Sequence, residues 1–184
     1  MKENTQIIKK WKKLSGRRIL DNELLNVDED IVLLPNGKKK KYVLHSPTDT
    51  HSIIMIAIND QGQVLIQQEY SYPPDLVMWQ LPGGAMEVGE SVVDAAMREL
   101  AEESGFGAHN AREIGYFYVN NRKSNRKQFI VLCENLFDNK IAEDEDEFIT
   151  NHWFSAEELR SMIGNGQFIN INLLASLNVW FNKS

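Results

Sequence analysis

Glu90, Arg98, Glu99, Glu102 and Glu103 stand close together in the segment from Gly84 to Phe106, GAMEVGESVVDAAMRELAEESGF. Ser91 is suited to cap a helix, with Asp94 at its third helical position. Gly105 suits the left-handed position just past the helix end. A helix is therefore expected over about 92–104, with Val93, Met97 and Leu100 turned to the core at i, i+4 and i+7. Glu99, Glu102 and Glu103 then share another face, because residues three and four apart are helix neighbours. Glu90 lies in the loop just ahead. Like charges so placed repel by about 0.2–0.5 kcal/mol per pair. A hard divalent cation such as Mg²⁺ takes oxygen ligands and bridges carboxylates beside substrate phosphates. Composition alone reads the same face as a solvated acidic stripe, partly neutralised by Arg98.

The spacing decides between the two. The segment fits G-x5-E-x7-R-E-U-x-E-E-x-G-U, where U is a bulky apolar residue, with Gly84, Glu90, Arg98, Glu99, Leu100, Glu102, Glu103, Gly105 and Phe106 in order. Phe106 stands where an aliphatic residue is usual, a packing position. In this the chain resembles the Nudix hydrolase family. The resemblance implies an α/β fold (α+β), an α/β/α sandwich with a mixed β-sheet, here carrying an N-terminal β extension. It also implies Mg²⁺, with Mn²⁺ as a substitute, held by Glu99, Glu102 and Glu103 with support from Glu90 and the Gly84 carbonyl. Arg98 would orient the glutamates by charge-assisted bonds. The implied reaction is hydrolysis of a nucleoside diphosphate linked to another group, in which metal ions offset charge and activate water.

The resemblance covers most of the chain and is strongest to the ADP-ribose pyrophosphatase branch. It is carried by Asp28–Tyr42, by Val64-Leu65-Ile66 through Tyr72-Pro73, by Trp79-Gln80-Leu81-Pro82-Gly83-Gly84, and by Glu145-Asp146-Glu147 before His152-Trp153-Phe154. That branch implies a homodimer whose N-terminal strands exchange between subunits, and a glutamate on a later loop as general base, matched by Glu145 or Glu147. A solvated acidic loop is the alternative for those two residues. Three departures bear on the substrate: Gln80 stands where the branch has Glu, Ser71 where it has Arg, and residues 119–127 lack its proline. Arg122, Lys123, Arg126 and Lys127 flank the loop after Tyr118, and one or two of them, with Arg122 and Arg126 as the named candidates, would replace the missing arginine as phosphate contacts, against the alternative of a basic hairpin tip. Trp79 is a candidate pocket wall for a base, or else core. His152 reads as structural, since Mg²⁺ prefers oxygen. Competing functions are hydrolysis of another nucleotide (a triphosphate, a different nucleotide-sugar, a capped RNA end) and a non-catalytic nucleotide-sensing module.

The elements that must position these residues follow from the whole chain. Its 184 residues and 42% hydrophobic content suit about one ordinary domain and exclude a disordered or fibrous chain. The expected division is an N-terminal helix and strand extension over 1–46, used in dimerisation, and a catalytic domain over 47–184. A short amphipathic helix is expected at about 4–14, from Ile7, Ile8, Trp11 and Leu14. Strands are expected near 18–27, 31–34 and 40–45, the last two joined by the turn Pro35-Asn36-Gly37. A second hairpin is expected from 53–58 to 64–69 across Asn59-Asp60-Gln61-Gly62. Further strands are expected near 77–81, 114–119, 128–134 and 148–154. Ser155 and Glu158 form a capping box for a helix over 156–163, and a last helix runs over about 170–181.

With 20 basic and 26 acidic residues the net charge is −6, a poor basis for wrapping nucleic acid, where phosphate neutralisation dominates affinity. Lys38–Lys41 reads as a solvated hairpin end. The single cysteine, Cys133, excludes an intrachain disulfide and reads as a buried strand thiol. No leader-like apolar segment and no run of about 18 apolar residues is seen. The expected setting is cytoplasmic, with a small-molecule nucleotide as partner and neither membrane nor nucleic acid.

Overall fold

Opposite charges on neighbouring strands organise the first of two units. A computed structural model describes residues 8–48, 50–140 and 148–183. The first unit comprises the described residues up to Thr48 together with Asn120–Asn125; the second comprises the rest. In the first, β1 (Lys12–Leu20), β2 (Val27–Leu33) and β3 (Lys39–His45) form an antiparallel sheet with β2 in the middle. The basic residues of β1 lie against the acidic run of β2: Lys13 meets Asp30 at 2.7 Å, Arg17 meets Glu29 at 3.1 Å, and Arg18 meets Asp28 at 2.7 Å. Arg17 and Arg18 are directly opposite Glu29 and Asp28 in the register, so each pair adds to the ladder. The side chain of Arg18 holds the Asp28 carboxyl below the usual carboxylate range, chiefly through their hydrogen bond.

This sheet corrects two expectations. The helix at about 4–14 is not formed: residues 8–11 carry no regular structure and 12–14 belong to β1, while residues 4–7 lie outside the described residues. Cross-strand ion pairs, invisible to helical periodicity, decide the matter. The strand expected at 18–27 is interrupted: 18–20 end β1, Val27 opens β2, and 21–26 form a connection in which Asn22 Oδ1 accepts from Leu24 and Leu25 N–H. The Pro35-Asn36-Gly37 turn joins β2 and β3 as expected, with Gly37 N–H bonded to Leu34 O at 2.9 Å. The segment Asn120–Asn125 is tied to this unit: Tyr42 Oη donates to Arg122 O at 2.6 Å, and Asn125 exchanges two bonds with the Thr48 backbone.

The second unit is layered. β4 (Ser52–Ala57) runs parallel to β8 (Lys127–Asp138), which pairs antiparallel with β7 (Phe106–Tyr118). β5 (Val64–Ser71) lies between β6 (Leu76–Gln80) and β9 (Ile149–Phe154). The helices are α1 (Val92–Ser104), α2 (Ala156–Gly164) and α3 (Ile171–Phe181). Alternate residues of β4 enter two cores, as the period of a strand buried on both faces requires. Ile54 and Ile56 join Val64, Ile66, Leu159, Leu173 and Leu177 on the α2–α3 side. Ile53 and Met55 join Leu65, Val131, Ala96 and Leu100 on the α1 side. Each such buried aliphatic side chain contributes roughly 1.5–3 kcal/mol. Helices on both faces of mixed β-structure give the expected α/β/α arrangement.

Here too the structure corrects details. Residues Asn59 to Gln63 do turn, with Gly62 N–H on Asn59 O. The flanking strands share only an Ile58–Val64 bridge, however, and diverge into different sheets. β4 is apolar on both faces and pairs with β8 in parallel instead of folding back on β5. On α1 the core face is Ala95, Ala96, Leu100 and Ala101, with Met97 at its edge; Val93 is not part of it. Small side chains there let the helix approach the strands. Cys133 is buried, and burial pushes its thiol up to about 12.

Candidate active site

α1 begins where the sequence places it. Ser91 Oγ accepts from Asp94 N–H at 3.1 Å, and Gly105 closes the helix at φ 72°, a conformation that costs glycine nothing. This fixed phase gathers the charged face around Arg98. Its guanidinium donates to both oxygens of Glu90, at 3.0 and 3.1 Å, to Glu99 Oε1 at 2.9 Å and to Glu102 Oε2 at 3.0 Å. It also donates to Ala85 O at 3.0 Å, which ties the helix to the preceding loop. Glu103 is held separately, its Oε2 accepting from Gly83 N–H at 3.0 Å. The spacing thus brings together Glu90, Arg98, Glu99 and Glu102, with Glu103 anchored to the adjoining glycine pair.

Gly84 is required by close approach. A Cβ there would lie 2.2 Å from Glu99 Oε1 and 2.3 Å from Glu99 Cδ. Its carbonyl accepts from Ile53 N–H at 2.9 Å, which uses one of two lone pairs. Glu99 is 9% exposed, and its carboxyl is pushed above the usual range by burial, against the opposing pull of Arg98. Glu90 is held below that range, first by its bonds to Arg98. Those bonds also raise Arg98 above its ordinary value. One guanidinium therefore stabilises Glu90 fully and Glu99 only in part. Among the described residues, no three carboxylate, imidazole or thiol groups converge closely enough to close a metal site by themselves.

Other expected site residues lie elsewhere. Trp79 on β6 packs edge-on against His152 at 5.1 Å and Phe154 at 5.5 Å, on the α2–α3 side of the sheet and not beside the carboxylates. His152 takes part in that aromatic packing and lies 3.2 Å from Thr150 Oγ1. Arg122 belongs to the first unit and Arg126 to the second, where its Nη2 reaches Thr50 Oγ1 at 3.5 Å. Glu145 and Glu147 lie outside the described residues.

The structure adds a polar row that sequence reading missed. Gln80, Gln67 and Asn151 are aligned across β6, β5 and β9. Gln67 is fully buried; its Nε2 donates to Asn151 Oδ1 at 3.1 Å, while its Oε1 has no hydrogen-bond partner among the described residues. Asn151 Nδ2 reaches Glu103 O at 3.4 Å, and Gln80 Nε2 donates to Glu69. A glutamine directly after the apolar run Val64-Leu65-Ile66 was the available signal.

A family model described as the NUDIX domain matches residues 49–177. The chain belongs to the Nudix family. It is 28% identical over 141 residues to the ADP-ribose pyrophosphatase of Bacillus subtilis (strain 168), covering 75% of each chain. It is also 28% identical over 134 residues to the ADP compounds hydrolase NudE of Escherichia coli (strain K12), covering 73% and 72%. A crystal structure of an ADP compounds hydrolase superposes with a TM-score of 0.88 at 22% identity, covering 95% of this chain and 94% of the other, a likeness of fold. The chain is accordingly a Nudix hydrolase, of a family that generally uses a divalent metal. No described helix is long and apolar enough to cross a membrane.

Replacing Arg98 by methionine leaves three neighbouring carboxylates without their shared cation. We expect a loss of about 1–3 kcal/mol at neutral pH, read by urea denaturation of metal-free protein. The loss should shrink near pH 4.5, where protonation relieves the repulsion. An equal loss at both pH values would contradict the electrostatic account.

Proposed function

We propose that this Nudix hydrolase cleaves the diphosphate of a nucleoside diphosphate-sugar, with ADP-ribose giving AMP and a sugar phosphate, in a Mg²⁺-dependent reaction. Its setting in this reading is the cytoplasm. The observation that carries the proposal is the gathering of Glu90, Glu99 and Glu102 on one guanidinium, with Glu103 alongside on Gly83. Four carboxylates against one cation leave a net negative cluster. The named activities of the two relatives, an ADP-ribose pyrophosphatase and an ADP compounds hydrolase, support the substrate class.

The residues fit a hard divalent cation. The donor set is entirely oxygen, and the missing Cβ at Gly84 leaves Glu99 room against the backbone. Glu99, Glu102 and Glu103 would hold the ion, with Glu90 and the second lone pair of the Gly84 carbonyl in support. When bound, Mg²⁺ or Mn²⁺ supplies charge neutralisation on the diphosphate and a lower pKa for water. Arg98 keeps the glutamates in position, and the Gly83 N–H fixes the Glu103 carboxylate. Water attacks one phosphorus, the anhydride P–O bond breaks, and the departing phosphate carries the electron pair. Glu145 or Glu147 is proposed to take the proton of that water, and Arg122 and Arg126 to contact the diphosphate. Trp79 has a packing role.

The extension over 1–46 is proposed to serve a homodimer. Every residue of β1 is exposed, and Trp11, Leu14, Ile19 and Leu20 each show 41–46% of their surface. Such an apolar edge is a liability on a monomer.

Two measurements test these proposals. A panel of nucleoside diphosphate derivatives with Mg²⁺ or Mn²⁺ should show turnover of ADP-ribose or a close analogue. Glu102→Gln should lower kcat about 100-fold or more, beyond the loss typical of an outer partner. A variant as active as the parent would remove Glu102 from the site. In sedimentation at micromolar concentration the protein should run at twice its 21.1 kDa chain mass; a monomer would contradict the dimer.

A further inference from the structure

A glutamine occupies a position in the second unit that packing alone would give to an apolar side chain. Gln67 continues the apolar run of Val64, Leu65 and Ile66 on β5 and is fully buried. Strand alternation puts it on the α1 side with Leu65. The register sets Leu65 opposite Trp153 and Gln67 opposite Asn151, both on β9. Both partners reach the end of α1. Trp153 packs edge-on against Phe106 at 5.7 Å, and Asn151 Nδ2 donates to Glu103 O at 3.4 Å. Glu103 O is one of the last-turn carbonyls, which have no partner inside the helix.

The direction of these bonds is forced. A carbonyl only accepts, so Asn151 must present Nδ2 to Glu103 O and Oδ1 to Gln67. Gln67 then turns Nε2 to Asn151, at 3.1 Å, and its Oε1 faces away with no partner among the described residues. A leucine of similar size would fill the position without burying that acceptor, whose isolation costs free energy. The other end of Glu103 refers to the same residue. Its Oε2 accepts from Gly83 N–H at 3.0 Å, and Gly83 follows closely on Gln80, which stands opposite Gln67 on β6. The backbone and the carboxylate of Glu103 are therefore both held from one point on β5.

We propose that Gln67 is a positioning residue, which acts through Asn151 to keep the end of α1, and with it the Glu103 carboxylate, seated on Gly83 for the cation. The proposal rests on Glu103 as one of the proposed cation ligands. A carboxamide suits the task, because it donates to Asn151 while staying neutral and adds no charge beside the glutamates. Asn151 is itself exposed. The bond from a buried, immobile donor keeps it on the helix instead of on water.

Two readouts separate this role from packing. The first is amide hydrogen exchange of Gly83 in metal-free protein, followed by NMR. Q67L and N151A should each speed it about tenfold or more, because the Glu103 bond is released. The double variant should be no faster than the faster single one, since the two residues act in series. The second readout is Mn²⁺ binding followed by electron paramagnetic resonance, in which Q67L should bind about tenfold more weakly than the parent. The melting temperature of Q67L should equal or exceed the parent's, because the orphaned acceptor is gone. A glutamine serving the fold alone would do the reverse, lowering the melting temperature and leaving Gly83 exchange unmoved. Unchanged Gly83 exchange in Q67L, or equal Mn²⁺ affinity in Q67L and a parent that binds the ion, overturns the proposal. If the parent binds no Mn²⁺, the cation reading falls, and Gly83 exchange still decides the role of Gln67.

Discussion

The second unit depends on one electrostatic arrangement: a single guanidinium holding three carboxylates that would otherwise repel one another. Arg98 meets Glu90 with two bonds and Glu99 and Glu102 with one each, and a fifth bond fastens it to Ala85 O. Because Glu99 is buried against Gly84, a weaker partner would leave a desolvated charge, which is costly. Burial still wins over attraction at Glu99, whose carboxyl stays above its ordinary range. The cluster is therefore only partly compensated by the protein itself. That residue of uncompensated negative charge is what a divalent cation would complete.

The rest of the fold serves to place that helix. Small residues Ala95, Ala96 and Ala101 bring α1 close to the strands, and the register of β4 sends alternate side chains into separate cores. The backbone of β4 meets the incoming loop directly, through Ile53 N–H on Gly84 O and Met55 N–H on Pro82 O. The position of the glycine pair is thus set by main-chain bonds to the most buried strand. Glu103 depends on the same loop through Gly83 N–H. A shift of β4 would move the carboxylates together.

Local signals were legible in the sequence because their causes are local. The limits of α1, its Ser91 cap and its Gly105 terminus follow from residues within a few positions, as does the capping box of Ser155 and Glu158. The grouping of Glu90 with Arg98, Glu99 and Glu102 was readable for the same reason. Long-range choices were not. Strand β1 is held by ion pairs to residues ten or more positions away, and its amphipathic lead-in looked helical. Strand β4 is apolar on both faces, so nothing local says that it prefers β8 to β5. Trp79 reads by default as core, with a pocket wall as the alternative, and only the register of β6 against β5 assigns it to the α2–α3 side.

The central claim, that these glutamates form a divalent-cation site completed by the ion, is tested most directly by binding the metal alone. Titrating Mn²⁺ into metal-free protein, with free Mn²⁺ followed by electron paramagnetic resonance, needs neither substrate nor turnover. The account predicts that the parent protein depletes the free signal and that the double variant Glu99→Gln, Glu102→Gln binds at least about tenfold more weakly. Equal depletion by both proteins, or none by the parent, would contradict it.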